Sequence, residues 1–116
     1  MLFEVQRTTV RGRPLLSVRG ELDLSTAPEL ARAAEAAIAE GPAALDLDLT
    51  GTTFLDSSGA RQLLRTSKLA AARGVALQVV CPPENRPVWL VVDLLELRTA
   101  VPIVEVADRL EGETGP

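Results

Sequence analysis

Residues 45–64 read LDLDLTGTTFLDSSGARQLL. Leu45, Leu47 and Leu49 alternate with Asp46 and Asp48, the period of two that marks a strand over 44–49 with one apolar face and one wet face. The turn Thr50-Gly51-Thr52-Thr53 and the pair Phe54-Leu55 lead into Asp56-Ser57-Ser58-Gly59. From there the period changes. Ala60, Leu63, Leu64, Ser67 and Ala71 form an inner stripe, and Arg61, Gln62, Arg65 and Lys68 an outer one, which predicts a helix over 58–73 ended by Gly74. A strand that hands a short polar loop to a helix is a unit of α/β architecture.

The flanks extend the same alternation. Residues 2–10 predict a first strand carrying Leu2, Val5 and Val10, turned at Arg11-Gly12-Arg13-Pro14. In 15–22, Leu16, Val18, Gly20 and Leu22 share one face, and Ser17, Arg19 and Glu21 the other, so the two segments form a hairpin. Thr26-Ala27-Pro28-Glu29 has the form of a capping box opening a helix that buries Leu30, Ala34, Ala37 and Ile38 and stops at Gly41-Pro42. Beyond Gly74, residues 75–80 predict another strand. After Pro82-Pro83, Pro87 suits the first turn of a third helix, with Val88, Val91, Val92 and Leu95 inward, to about residue 97. A short strand over 101–104 and a final helical turn over 105–110 complete the order. The expected fold is a mixed sheet of four to five strands, with right-handed crossovers and helices mainly on one face. Residues 1–111 form a single domain in this reading, and 112–116 a flexible tail.

Composition narrows the function. Of 116 residues, 47% are hydrophobic and 24% charged, the balance of a globular domain. A net charge of -4 and three aromatics (Phe3, Phe54 and Trp89) argue against nucleic-acid binding. No apolar run approaches the roughly 20 residues of a membrane span, and no secretory signal is visible. Cys81 is the one cysteine and reads as a small buried hydrophobe, compatible with a reducing cytoplasm. There is no histidine, which excludes Ser-His-Asp and Cys-His catalysis and histidine zinc sites. No glycine-rich phosphate loop is present, so no cofactor is expected.

The chemistry sits in Asp56-Ser57-Ser58-Gly59. All three polar residues are good helix caps, and the free amides at a helix start favour negative charge. Gly59 is a place where a partner's backbone can come close. Read locally, these residues fit a plain helix cap as well as a functional loop.

Two blocks add to this. Gly20-Glu21-Leu22-Asp23 with Thr26-Ala27 resembles the opening of STAS domains, above all the anti-sigma-factor antagonists of partner-switching pathways. Leu47-Asp48-Leu49 followed by Phe54-Leu55-Asp56-Ser57-Ser58-Gly59 resembles their central signature. The blocks stand at the family's usual separation, and the resemblance covers roughly residues 3–110. Two features depart from it: Ala60 stands where a large aliphatic residue is usual, and Leu95-Glu96-Leu97 lacks the glycine of the usual turn in the divergent 82–102 region.

The resemblance implies that Ser57 is a phosphoacceptor, that Ser58 caps the helix, that Asp56 holds the loop, and that Asp23 lies nearby on the same sheet edge. It implies a partner surface of Asp23, Asp56, Ser57, Ser58, Gly59, Arg61 and Gln62. The implied partners are an anti-sigma-factor serine kinase and a PP2C-type phosphatase, engaged by a cytoplasmic monomer that is not itself an enzyme. Two other readings stay open. One is a non-enzymatic STAS subunit or scaffold of another complex, such as a lipid-transport ATPase or a stress-sensing assembly. The other is a small hydrolase or transferase using Asp46, Asp48 or Asp56. Trp89 reads as a packing residue.

Overall fold

A computed structural model describes residues 2–105. The order is β1 (Glu4–Val10), β2 (Arg13–Leu22), α1 (Ala27–Ala39), β3 (Ala44–Asp48), β4 (Thr52–Leu55), α2 (Ser57–Ala72), β5 (Ala76–Val80), α3 (Arg86–Leu94), a 3-10 turn (Leu97–Thr99) and β6 (Ile103–Val104). The sheet has the order β1-β2-β3-β5-β6, with β4 also paired to β2. The β1–β2 hairpin is antiparallel and all other pairings are parallel. The mixed α/β architecture expected from the sequence is therefore present, with six strands where four to five were expected. The final turn expected over 105–110 and the tail over 112–116 fall largely or wholly outside the described residues.

The extra strand arises from a bend in β2. Its first half pairs with β3 (Leu15↔Asp46, Leu16↔Leu47, Ser17↔Asp48), and its second half with β4 (Gly20↔Thr52, Glu21↔Phe54, Leu22↔Leu55), the register slipping between Gly20 and Glu21. Gly20 has φ +98°, and a Cβ there would sit 3.1 Å from the Phe3 backbone. Only glycine meets both demands without strain. The four residues of β4 were too few to show a period, so the sequence read them as loop.

The core lies on the face of Leu16, Val18, Leu45 and Leu47, against Leu30, Ala34, Ala37 and Ile38 of α1 and Ala60, Leu63 and Ala70 of α2. The opposite face is less wet than the alternation implied. Asp46 is fully buried, with the Arg13 guanidinium 3.7 Å away, and Asp48 is half-buried, accepting from the Thr50 amide at 2.9 Å. Other expectations fail at element ends. Leu2 precedes β1 and is exposed, Ala71 points to solvent, and Leu95 is exposed beyond α3 while Leu97 is buried. The third helix ends at Leu94 because Glu96 adopts a left-handed conformation, φ 49°.

Around α3, Asn85 Nδ2 donates to the carbonyls of Leu49 and Thr52 at 2.9 and 2.8 Å, pinning the β3–β4 connection. Trp89 packs half-buried against the core, its Nε1 donating to the Cys81 and Pro82 carbonyls, with Arg98 4.5 Å over its ring. Cys81 is fully buried. Desolvation, reinforced by the nearby Asp48 charge, pushes its thiol up to about 12. Because the thiolate is the nucleophile, native protein at pH 8 is expected to leave Cys81 unmodified by iodoacetamide. Urea-unfolded protein should be alkylated fully, and equal labelling of both by mass spectrometry would contradict this burial.

Candidate functional site

The parallel pairing Leu22↔Leu55 brings the ends of β2 and β4 side by side, so the residues that follow, Asp23 and Asp56, leave the sheet as neighbours. The Asp56 amide donates to the Leu22 carbonyl at 3.4 Å. Asp56 then turns the chain into α2. Its backbone is extended, φ -112° and ψ -174°, and its carboxylate accepts from the Gly59 amide at 2.9 Å. The helix cap is thus Asp56. Ser58, expected in that role, lies inside the first turn, because the helix begins one residue earlier than its periodicity indicated.

Gly59 is buried. A Cβ on it would stand 2.4 Å from the Leu22 carbonyl oxygen and 2.7 Å from Leu55 Cδ1. The backbone that comes close is therefore the chain's own β2, and not a partner's as expected from the sequence. This contact sets the start of α2 directly on the sheet edge.

Asp23 organises the other half of the site. Its carboxylate accepts from the Ser25 hydroxyl at 2.8 Å and from the Ser25 and Thr26 amides at 3.0 and 3.1 Å. The Ser25 hydroxyl and these amides hold its carboxyl below the usual range. That stabilisation is present above the unfolded-state pKa and is lost as pH falls through the lowered one. The capping box is not formed. Thr26 makes no side-chain cap; its hydroxyl turns back to donate to the Glu21 carbonyl at 2.7 Å. Asp23 has taken over the Thr26 amide, as a short aspartate side chain does in a turn.

Between the starts of α1 and α2 runs an open groove of about 310 Å³. Leu24, Ala27 and Pro28 line one side, and Ser58, Arg61 and Arg65 the other. Ser57 is exposed beside it, and Ser58 is half-buried. Arg61, Arg65 and Lys68 are exposed, as the outer stripe expected. Gln62 is not part of that stripe. It is only 8% exposed and donates to Thr66 Oγ1 at 3.2 Å, because α1 packs along that side of α2. The structure thus brings together Asp23, Asp56, Ser57, Ser58 and Arg61, while Gly59 is packed against β2 and Gln62, nearly buried, lines the floor of the groove.

The carboxylates considered for an enzyme each have a structural partner: Asp46 beside Arg13, Asp48 on Thr50, Asp56 on Gly59. Among the described residues no helix is long and apolar enough to cross a membrane.

The fold and the site can be set beside known proteins. A family model described as "Mlab, STAS domain" matches residues 5–100. The chain belongs to the STAS family. The anti-sigma-F factor antagonist RsfB of Mycobacterium tuberculosis is 42% identical to this STAS domain over 57 residues, which are 49% of this chain and 47% of RsfB. The match therefore spans about half the length of that relative. A crystal structure of an anti-sigma factor antagonist from Mycobacterium paratuberculosis superposes with a TM-score of 0.83 at 27% identity, over 96% of this chain and 92% of the other. The Bacillus cell fate determinant SpoIIAA in its phosphorylated form shares the fold, with a TM-score of 0.64 at 18% identity over 98% of this STAS domain and all (100%) of SpoIIAA.

Sequence reasoning missed Leu24. It is 75% exposed at the rim of the groove. A signal was present: a large apolar residue between Asp23 and Ser25, in a polar loop where no strand or helix period requires one.

Proposed function

We propose that this STAS domain is an anti-sigma-factor antagonist switched at Ser57. Unmodified, it binds an anti-sigma factor that is also a serine kinase, and the bound factor releases its sigma factor. The kinase moves the γ-phosphoryl group of ATP to Ser57. A bond forms between Ser57 Oγ and phosphorus, the bond to the bridging oxygen of ADP breaks, and the hydroxyl proton leaves. The complex then dissociates, and a PP2C-type phosphatase restores the serine. In this reading the domain works in the cytoplasm as a monomer, without cofactor, nucleic acid, membrane or catalysis of its own.

The observation that carries the reading is the position of Ser57. It is the first residue of α2 and exposed, while Asp56 and Gly59 on either side of the motif are committed to the fold. A phosphate adds about -1.5 to -2 charges at pH 7. At the start of a helix the macrodipole favours that charge, so modification acts on the interface and leaves the fold intact. Likeness to antagonists of the same fold supports the assignment.

The test is incubation of the protein with candidate anti-sigma kinases and Mg-ATP, with phosphate mapped by mass spectrometry in wild type and Ser57→Ala. Phosphate on Ser57, absent from the variant, with dissociation on modification, is the expected result. Phosphate elsewhere, or a complex that survives modification of Ser57, defeats the proposal. The family description favours a second reading, a non-enzymatic subunit or scaffold of another complex such as a lipid-transport ATPase. A stable complex of that kind, indifferent to Ser57→Ala and Ser57→Glu, would support it.

A further inference from the structure

We infer that Arg61 is the phosphate's partner within the chain: once Ser57 carries a phosphate, the Arg61 guanidinium swings out of the α1–α2 groove and clamps it. The inference rests on the reading of Ser57 as the modified residue and adds how modification would alter the docking face.

Ser57 and Arg61 are four residues apart on the continuous helix α2, both exposed. Residues at that spacing are surface neighbours, with Cβ atoms about 5–6 Å apart, and an anion placed N-terminal to its cation is the favourable order. Helical side chains lean toward the N-terminus, so a long side chain from position 61 reaches back over the turn that holds Ser57. A guanidinium also matches a phosphate in a two-pronged geometry that lysine cannot provide.

Arg61 is available for this. Among the described residues it makes no hydrogen bond or ion pair. The carboxylates of the two loops have partners of their own, Asp56 in the Gly59 amide and Asp23 in Ser25 and Thr26. The other cation on the groove wall, Arg65, is eight residues from Ser57, about 12 Å along the helix, and is left where it was.

Arg61 also lines the groove beside Leu24. The unmodified protein therefore offers a partner two guanidinium groups next to an apolar rim. The phosphorylated protein offers one, because the other is neutralised by its own phosphate. Phosphorylation in this account subtracts a positive charge from the groove as well as adding a negative one at its edge.

The test uses the full chain with phosphoserine installed at position 57 during translation or by ligation, so it needs no kinase. The second ionisation of the phosphate is followed by phosphorus NMR in wild type, Arg61→Gln and Arg65→Gln. Loss of Arg61 is expected to raise that pKa by about 0.3 unit, with Arg65→Gln unchanged. Unaltered amide shifts at Gly59 and Ala60 confirm that the helix start is intact. An identical pKa in wild type and Arg61→Gln, or an equal shift in Arg65→Gln, overturns the clamp. Failure of every kinase to modify Ser57 would count against the proposed function and leave this measurement standing.

Discussion

Alanine at Gly59 is expected to destabilise the protein by about 1–3 kcal/mol, although alanine in place of glycine inside a helix ordinarily gains up to about 1 kcal/mol. The sign is set by distance. The added Cβ would lie 2.4 Å from the Leu22 carbonyl oxygen, 2.7 Å from Leu55 Cδ1 and 3.0 Å from Leu22 Cγ. Leu55 could change rotamer. The carbonyl cannot, because it is main chain at the end of β2, in register with β4 and receiving the Asp56 amide. The start of α2 must move off the sheet, which also loosens the cap between Asp56 and Gly59. Urea denaturation followed by circular dichroism should show the transition shifted to lower urea with little change in slope. A variant as stable as wild type would show that the strand end yields, and that the contact does not fix the site.

Aspartate at Leu24 is expected to do the opposite: leave stability within about 0.5 kcal/mol and weaken binding strongly. The side chain is 75% exposed and belongs to no core contact, so the fold has little to lose. At an interface an exposed leucine beside a groove with two arginines is a candidate anchor, and loss of such an anchor costs 2 kcal/mol or more, about thirty-fold in affinity. Titration calorimetry against the proposed anti-sigma partner, with a thermal melt of each protein, separates the two effects. Unchanged affinity would move the docking face away from the α1–α2 groove.

The two variants mark the boundary of what one-dimensional reasoning reached. Asp56-Ser57-Ser58-Gly59 was legible as a helix start because small capping residues followed a strand, and as a candidate site only through the resemblance to STAS domains. That reading could not say which residue caps, because Asp, Ser and Ser all cap well. Only the extended backbone at Asp56 and its bond to the Gly59 amide decide it. Gln62 was assigned to the outer stripe because polar residues in a helix default to solvent. It is buried because a second helix, far away in sequence, lies against it. Thr26 and Glu29 had the form of a capping box, and a local competitor, Asp23, took the Thr26 amide first.

By itself the sequence determined the order of its long elements, since alternation in 15–22 and 44–49 and helical spacing in 26–40 and 58–73 are properties of each segment alone. It marked Gly12, Gly41 and Gly74 as turns and helix ends, and put the Asp56-Ser57-Ser58-Gly59 motif at the start of a helix. The tertiary structure decided whatever depends on two segments meeting. β4 is a strand because the bent second half of β2 offers it a partner. Asp46 is buried although it alternates like an exposed residue, and the Arg13 guanidinium that stands 3.7 Å from it comes from the neighbouring strand β2. Gly59 is required because Leu22 passes 2.4 Å from where a side chain would begin. Periodicity records which side of its own axis a residue faces, and only the fold decides what stands on that side.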